Sequence, residues 1–231
     1  MSIDLWLKSL LLTVDQDYEV CIVNDGGDEY DILGIIRQYE NVMNIKYKFL
    51  FPRTMTFRVG IAKNLGAEMA SGERIFITDP DCLLHKNVLK IHAGSTGIVG
   101  GIRHHIPPAY SMSLTPKCLN HLDKISYPFD YRYTALSCFL NSDVWMWQLI
   151  WGCNFSLSLS DFWSVGGFST EFVGWGYEDL DLISRLVDSG IEIGFNFNAL
   201  VYHIDHGQNR ASNNRKKYID RLSLRGLSYS N

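Results

Sequence analysis

The first half of the chain switches repeatedly between two hydrophobic periods, and that alternation constrains its fold more than any other feature. Leu5, Leu7, Leu10, Leu11 and Leu12 predict a helix over 3–13. A compact apolar run over 18–23 predicts a strand, stopped by the turn residues Asn24-Asp25-Gly26-Gly27. A helical stretch over 30–39, a strand over 45–49 and a helix over 59–70 follow, the last closed by Ser71-Gly72. Glu73-Arg74-Ile75-Phe76-Ile77-Thr78 has the pattern of a buried strand and ends at Asp79-Pro80-Asp81. Strands alternating with helices of this length predict an α/β domain with a mostly parallel sheet covered on both faces. Ligands of such sheets sit beyond the carboxyl ends of the strands, where Asp25 and the Asp79/Asp81 pair both fall.

The second half is less regular. Strands are expected over 98–102, 154–159, 191–197 and 199–203, a short helix over 161–165, and a clear helix over 177–189 ending at Gly190. The stretch 103–142 is long, aromatic and proline-containing, as irregular structure around a site would be. The apolar run 144–151 is too short to cross a membrane and carries Gln148, so a buried strand or a substrate-facing aromatic wall is expected. From Asn209 onward, Arg210, Arg215, Lys216, Lys217, Arg221 and Arg225 form a basic tail expected to be helical.

Composition narrows the partners. At 231 residues, 46% hydrophobic and 20% charged, the chain has the usage of one globular domain. Its 21 basic and 25 acidic side chains leave a net charge of -4, with no broad basic surface for a nucleic-acid backbone. No nucleic-acid partner is expected, and any nucleotide ligand should be small. Five scattered cysteines without a C-x-x-C pair suggest neither a disulfide framework nor a zinc knuckle, and fit a reducing compartment. The start lacks the basic region of a secretory signal, so a cytoplasmic location is expected.

Three clusters carry the chemistry. Asp79-Pro80-Asp81 puts two carboxylates one residue apart at a strand end, where they can share a divalent cation. A bare D-x-D is common by chance. The buried strand ahead of it adds weight, because acids delivered to an open edge are uncompensated unless something cationic arrives. A helix N-cap at Asp81 would use only one of the two. In Gly174-Trp175-Gly176-Tyr177-Glu178-Asp179-Leu180-Asp181 the glycines permit a tight entry into a helix whose first turn holds the acids. The helix dipole favours their ionised form there, by a few tenths to ~1 kcal/mol. A well-capped helix with Leu180, Ile183 and Val187 as its core stripe accounts for one or two acids, but not for a Trp between glycines ahead of three. A carboxylate beside a flat aromatic platform suits a general base acting on a sugar hydroxyl. In Tyr202-His203-Ile204-Asp205-His206, an imidazole added to carboxylates and phosphate oxygens suits Mn²⁺ better than calcium or a structural magnesium. The choice between His203 and His206 as a ligand stays open.

Taken in order, these motifs resemble the GT-A glycosyltransferases. The nearest likeness is to family 2 enzymes and to the galactosyltransferase-type C-terminal domain of β-1,4-galactosyltransferases and bacterial chondroitin polymerases. Val165-Gly166-Gly167-Phe168, Glu171-Phe172, the segment from Gly174 to Asp181, Arg185-Leu186 and Gly190 are similar to their acceptor-side signature, the most specific part. Asn24-Asp25-Gly26-Gly27 resembles their first acidic turn, Asp79-Pro80-Asp81 their D-x-D motif, and Gly152-Cys153-Asn154 their G-x-N. Ala62-Lys63-Asn64-Leu65-Gly66-Ala67 resembles their A-R-N-x-G-A helix, with Lys63 where Arg is usual. The resemblance spans roughly residues 5–217.

That resemblance implies a GT-A (Rossmann-like) sheet flanked by helices. It also implies a metal-dependent, inverting transfer of a hexose or N-acetylhexosamine from a UDP-sugar to a glycan or glycolipid hydroxyl, as in polysaccharide biosynthesis. Residues 1–100 would form the nucleotide-sugar-binding half, and 101–231 the acceptor-binding half with the basic tail. Asp25 would hydrogen-bond the uracil, Lys63 would join the donor-binding set, and Asp79 would face the ribose or sugar. Asp81 and His203 would hold Mn²⁺ (or Mg²⁺) on the diphosphate. Asp179 would deprotonate the acceptor, Glu178 would hold the acceptor or donor sugar, and Trp175 would stack on a sugar ring, with Gly176 and Asn154 in the acceptor site. Arg210 and Arg215 could close over the diphosphate, against the plainer reading of a solvated basic face. A glycolipid acceptor would bring peripheral membrane association.

Members of these families open with a hydrophobic strand followed by P-x-Y/F-N-R-type residues, whereas here Met1 is followed almost at once by the first helix. Either the natural protein begins upstream of Met1, or the sheet is built without that strand, or the chain is a degenerate copy; loss of the strand would leave two edges unpaired. A non-catalytic or degenerate nucleotide-sugar- or glycan-binding module is the alternative function. A nucleotidyltransferase would carry a glycine-rich, Lys/Arg-bearing phosphate loop near its start, which this sequence lacks.

Overall fold

The computed structural model describes residues 2–14, 17–54, 56–111, 113–128, 146–206 and 213–226. Helix α1 (Ser2–Leu11) buries Leu5, Leu7 and Leu10. Strand β1 (Glu19–Asn24) leads to α2 (Glu29–Ile36), which starts at Asp28, whose carboxylate accepts from the N–H groups of Tyr30 and Asp31. Strand β2 (Asn44–Phe49), helix α3 (Val59–Met69) and strand β3 (Arg74–Thr78) follow, close to where the sequence periods put them. Next come β4 (Cys82–Leu84), α4 (Val88–Ala93), β5 (Ile98–Ile106) and the single turns α5 (Pro108–Ser111) and α6 (Leu122–Ile125). The chain continues through β6 (Asn154–Ser158), α7 (Leu159–Ser164), α8 (Glu178–Asp188), β7 (Ile193–Ile204) and α9 (Asn214–Leu224). The described part of the apolar run before β6 is not a strand. Met146–Leu149 is a 3₁₀ turn, and Trp147 and Ile150 are buried in the core.

Strands β1 and β2 pair in parallel, and a separate five-stranded sheet has the order β3-β6-β5-β7-β4. Within the larger sheet the β5–β7 pair is parallel and the other described pairs are antiparallel, so the architecture is mixed rather than mostly parallel. Chain length between strands explains the departure. A parallel neighbour needs a crossover of roughly a dozen residues or more. Only Asp79, Pro80 and Asp81 separate β3 from β4, which therefore turns away and pairs antiparallel with β7. The two short strands expected over 191–203 form one, β7, whose register against β5 shifts between Gly100 and Ile102.

Helices cover both faces of the larger sheet. Ile75 and Ile77 join Phe155, Leu157, Leu182 and Leu186 in one core cluster, while Phe76 faces the opposite side, its ring 4.6 Å from that of His92 on α4. Among the described residues β1 and β2 form a sheet separate from the one that holds β3. Packing joins the two pieces instead, with Leu7, Leu10, Val20, Leu84 and Val201 in a shared apolar cluster. A polar stitch adds to it. Glu19, at the start of β1, accepts from the backbone N–H groups of Ser71 and Gly72 just ahead of β3, and Lys46 lies 2.5 Å from its other oxygen. Burial alone would raise the Glu19 carboxyl; Lys46, Ser71 and Gly72 outweigh it and hold the group down at about 2. No helix among the described residues is long and apolar enough to cross a membrane.

Candidate active site

Strand register builds one side of the site. The pairing of β4 with β7 sets Cys82 opposite His203, and that of β5 with β7 sets His105 opposite His203. Asp81, one residue before β4, is thereby carried to the end of β7, where its carbonyl accepts from the N–H of Ile204. Its Oδ2 lies 2.9 Å from His206 Nε2 and 3.6 Å from His203 Nε2. Asp81, His203 and His206 each offer a ligand atom within 4.8 Å of the others. His203 is buried and His206 is exposed. Burial works against the charge of Asp81, but hydrogen bonds and charge from His203, with help from Cys82 and His206, bring its carboxyl to about 2. The structure thus gathers Asp81 with both histidines rather than with His203 alone.

Lys63 forms the centre. It projects from α3, with Nζ 3.5 Å from Asp79 Oδ1, and donates to the carbonyl of Gly152 at 2.9 Å. Its Nζ also lies 5.6 Å from the centroid of the Phe168 ring. Gly152 in turn donates its N–H to Asp179 Oδ2 at 2.7 Å. A side chain at Gly152 would put Cβ 2.6 Å from Lys63 Nζ and 3.3 Å from Asp179 Oδ2, so the bare residue lets both groups approach its backbone this closely. Desolvation opposes the charge of Lys63, but Asp79, Glu178 and Asp179 around it raise its pKa. Asp79 is raised as well, by burial first and then by Asp81 and Asp179, despite the Lys63 ammonium. Three carboxylates therefore share one ammonium. The neighbouring Asn64 brackets Phe168, accepting from its N–H and donating to its carbonyl, which secures the Val165–Phe168 loop.

The entry to α8 completes the site. Gly174 and Gly176 have φ of 88° and 87°, and Tyr177 follows at 73°, a left-handed conformation that a bulky residue adopts only under local strain. Asn214 at the start of α9 donates to the carbonyl of Gly176 at 3.0 Å and braces this loop. Trp175 stands half-exposed at its tip. Glu178 is buried, and its Oε2 has no hydrogen-bond partner. Burial and then the Asp179 charge push its carboxyl up to about 7. Asp181, the third acid of the turn, is fully buried and structural, bonded to Arg185 at 2.9 Å and Arg221 at 2.7 Å.

One expected residue is used otherwise, and another already has a partner. Asn154 is a correction: it is fully buried and cannot touch an acceptor. Its Nδ2 donates to the carbonyls of Ile102 and Ala199, and its Oδ1 accepts from the ring of His92, so it plugs the register shift between β5 and β7. Gly101 opposite has no room for a Cβ, which would meet Asn154 Nδ2 at 2.4 Å. What the G-x-N motif brings to Lys63 and Asp179 is instead the backbone of Gly152, which no side-chain letter advertises. Asp25 is engaged by Arg58, accepting from its Nε and backbone N–H at 2.8 Å each. The basic tail is largely spent on the protein itself. Lys217 bonds the carbonyl of Glu171, Arg221 binds Asp181 and Glu171, and Arg225 binds Asp188 and Ser184. Arg215 lies at the start of α9, and Arg210 falls outside the described residues.

The model of glycosyl transferase family 2 matches residues 3–141, and that of the N-terminal domain of galactosyltransferase matches residues 136–207. The chain belongs to glycosyl transferase family 2. Two proteins named validoxylamine A glucosyltransferase, from Streptomyces hygroscopicus subspecies limoneus and jinggangensis, are each 32% identical to it over 197 residues. Those alignments take in 78% of this chain but 43% and 46% of the relatives, so the chain spans less than half their length. A mannosyltransferase from Pyrobaculum calidifontis, solved with GDP-Man and Mn²⁺, matches with a TM-score of 0.61 at 15% identity, over 91% of this chain and 54% of its own. S. aureus TarS with UDP-GlcNAc matches with a TM-score of 0.64 at 15% identity, over 96% and 61%. At that identity the likeness establishes the GT-A α/β fold of this family member and nothing finer.

Proposed function

We propose that the chain is a metal-dependent, inverting glycosyltransferase domain that moves a hexose or N-acetylhexosamine from a UDP-sugar to a hydroxyl of a glycan or glycolipid. The observation that carries this reading is the gathering of Asp79, Glu178 and Asp179 around Lys63, beside the Asp81/His203/His206 set. Glucosyltransferase relatives and fold neighbours bound to GDP-Man with Mn²⁺ or to UDP-GlcNAc support it. One ionised carboxylate and two imidazoles form a mixed oxygen and nitrogen donor set that fits Mn²⁺. When bound there, the ion would neutralise charge developing on the leaving diphosphate.

The residues then divide the work. Asp179, oriented by the Gly152 N–H, takes the proton of the acceptor hydroxyl. The acceptor oxygen bonds the anomeric carbon from the far side as the bond to the diphosphate breaks, and UDP leaves with the electron pair. Glu178 holds a sugar hydroxyl, Trp175 offers its ring as a platform, and Asp25 meets the uracil through the lone pairs that Arg58 leaves. Donor residues Lys63, Asp79 and Asp81 lie in the first half of the chain, and the acceptor side lies in the second. A cytoplasmic setting and a place in polysaccharide assembly go with this reading.

Asp179→Asn tests it. Turnover should fall by about 10²–10⁴-fold with UDP affinity intact, and unchanged turnover rejects the base. The separate β1–β2 piece favours a second reading, a binding module that turns nothing over. Mn²⁺-dependent UDP release from a panel of UDP-sugars distinguishes the two.

A further inference from the structure

A second group of three side chains lies directly behind the proposed metal ligands: His105, His203 and Asp205, with their ligand-type atoms within 4.8 Å of one another. Asp205 Oδ1 lies 2.6 Å from His105 Nδ1 and 3.0 Å from His203 Nδ1, and Oδ2 accepts from the Tyr127 hydroxyl at 3.2 Å. An ionised carboxylate only accepts, so both facing Nδ1 atoms must carry their protons. Neutral His203 then keeps its lone pair on Nε2, the atom turned toward Asp81. Asp205 is itself clamped: its N–H donates to the carbonyl of Ile106 at 3.1 Å, and its carbonyl accepts from the Ser111 hydroxyl at 3.3 Å. His105 is steadied in turn, its ring stacked on that of Tyr127 with centroids 5.8 Å apart.

We infer that Asp205 is a positioning residue that fixes the tautomer and ring orientation of His203, presenting Nε2 to a divalent cation shared with Asp81 and His206. His105 and Tyr127 are its supports: they take one lone pair on each oxygen and keep the carboxylate from turning to the cation itself. This inference rests on the metal reading of the preceding section. Behind a metal-bound imidazole, an outer carboxylate typically contributes about 10–100-fold in metal affinity.

The test is a Mn²⁺ titration, followed by electron paramagnetic resonance, of the wild-type chain, Asp205→Ala and Asp205→Asn, each with UDP present. Asp205→Ala should bind Mn²⁺ about 10–100-fold more weakly, and Asp205→Asn, whose amide oxygen can still accept from both rings, should fall between it and the wild type. The ¹⁵N spectrum of His203 in metal-free protein gives a readout that a merely structural role would not move. The Nδ1–H tautomer should dominate in the wild type and lose that dominance in Asp205→Ala. Wild-type Mn²⁺ affinity in a folded Asp205→Ala overturns the positioning role alone. A wild-type chain that binds no Mn²⁺ overturns the metal reading and this inference together. Should the alanine variant fail to fold, Asp205→Asn decides: an affinity and tautomer both equal to wild type reject the role of the charge.

Discussion

Within a single turn of α8 the chain handles acids in two opposite ways. Asp181 is fully buried and meets two guanidinium groups, those of Arg185 and Arg221, one of which also ties down the carbonyls of Val165 and Gly167. Glu178 and Asp179, three and two residues earlier, share the Lys63 ammonium with Asp79, and Glu178 keeps an oxygen with no partner. The first cluster is saturated with positive charge and the second is short of it. Surplus cation marks a site that holds the fold together, whereas surplus carboxylate, kept by burial and crowding, marks one that awaits a ligand or a proton.

The sharpest way to break this comparison is to empty the saturated cluster. Asp181→Ala leaves Arg185 and Arg221 facing a pocket without their carboxylate, and removal of one partner from a buried pair destabilises by about 3–5 kcal/mol. Denaturant unfolding should show a loss of that size, while Asp179→Asn should leave unfolding nearly unchanged and affect turnover. If Asp181→Ala unfolds at the wild-type midpoint, the division into structural and functional acids is wrong.

The unsaturated cluster gives a smaller effect of the opposite sign. Glu178 has an ordinary value of 4.5 and is pushed up to about 7 by burial and by Asp179. Between those values the folded chain holds a proton that the unfolded chain has lost, so stability falls as pH rises through that window. Above about pH 7 the penalty is present in full, and below about pH 4.5 it is absent. Glu178→Gln should therefore stabilise the protein by about 1–3 kcal/mol at pH 8 and by nothing at pH 4, as urea unfolding at the two pH values would show. An equal gain at both would mean that Glu178 is not held short of a partner.

The parts legible in the sequence are those written in local patterns. Apolar periods placed β1, α2, β2, α3 and β3, and strand-end position singled out Asp79 and Asp81. Lys63, Glu178, Asp179 and His203 were also accessible through their motifs, and the structure puts the first three in one cluster and His203 in another with Asp81. What stayed hidden depends on pairing between distant strands. Three residues of β4 carry no period, yet their register against β7 is what joins Asp81 to His203. Asn154 looked like a binding residue because a G-x-N motif ends on it, while the group that meets Asp179, two positions earlier, is a backbone amide. Asp205 stood between two histidines in the sequence, but its role needs His105 from another strand, and the partnership of Asp25 with Arg58 likewise crosses a loop.

The smallest effect tests how the two kinds of acid are kept apart, at the joint between the glycine loop and α8. Tyr177 occupies a left-handed conformation with φ of 73°, which a residue bearing Cβ holds at a cost of about 1–2 kcal/mol. Its ring packs on Tyr218, centroids 5.5 Å apart, and such a pair returns about 0.5–1.5 kcal/mol. Tyr177→Ala removes the ring and keeps the strain. Tyr177→Gly removes both, with an added backbone entropy of about 0.5–1 kcal/mol against it. The glycine variant should accordingly be the more stable of the two by up to about 1 kcal/mol, and close to wild type, in thermal unfolding. Equal stability of the two variants would mean that the left-handed turn is not enforced, and Trp175 would then lose the rigid loop that presents it at the entry to α8.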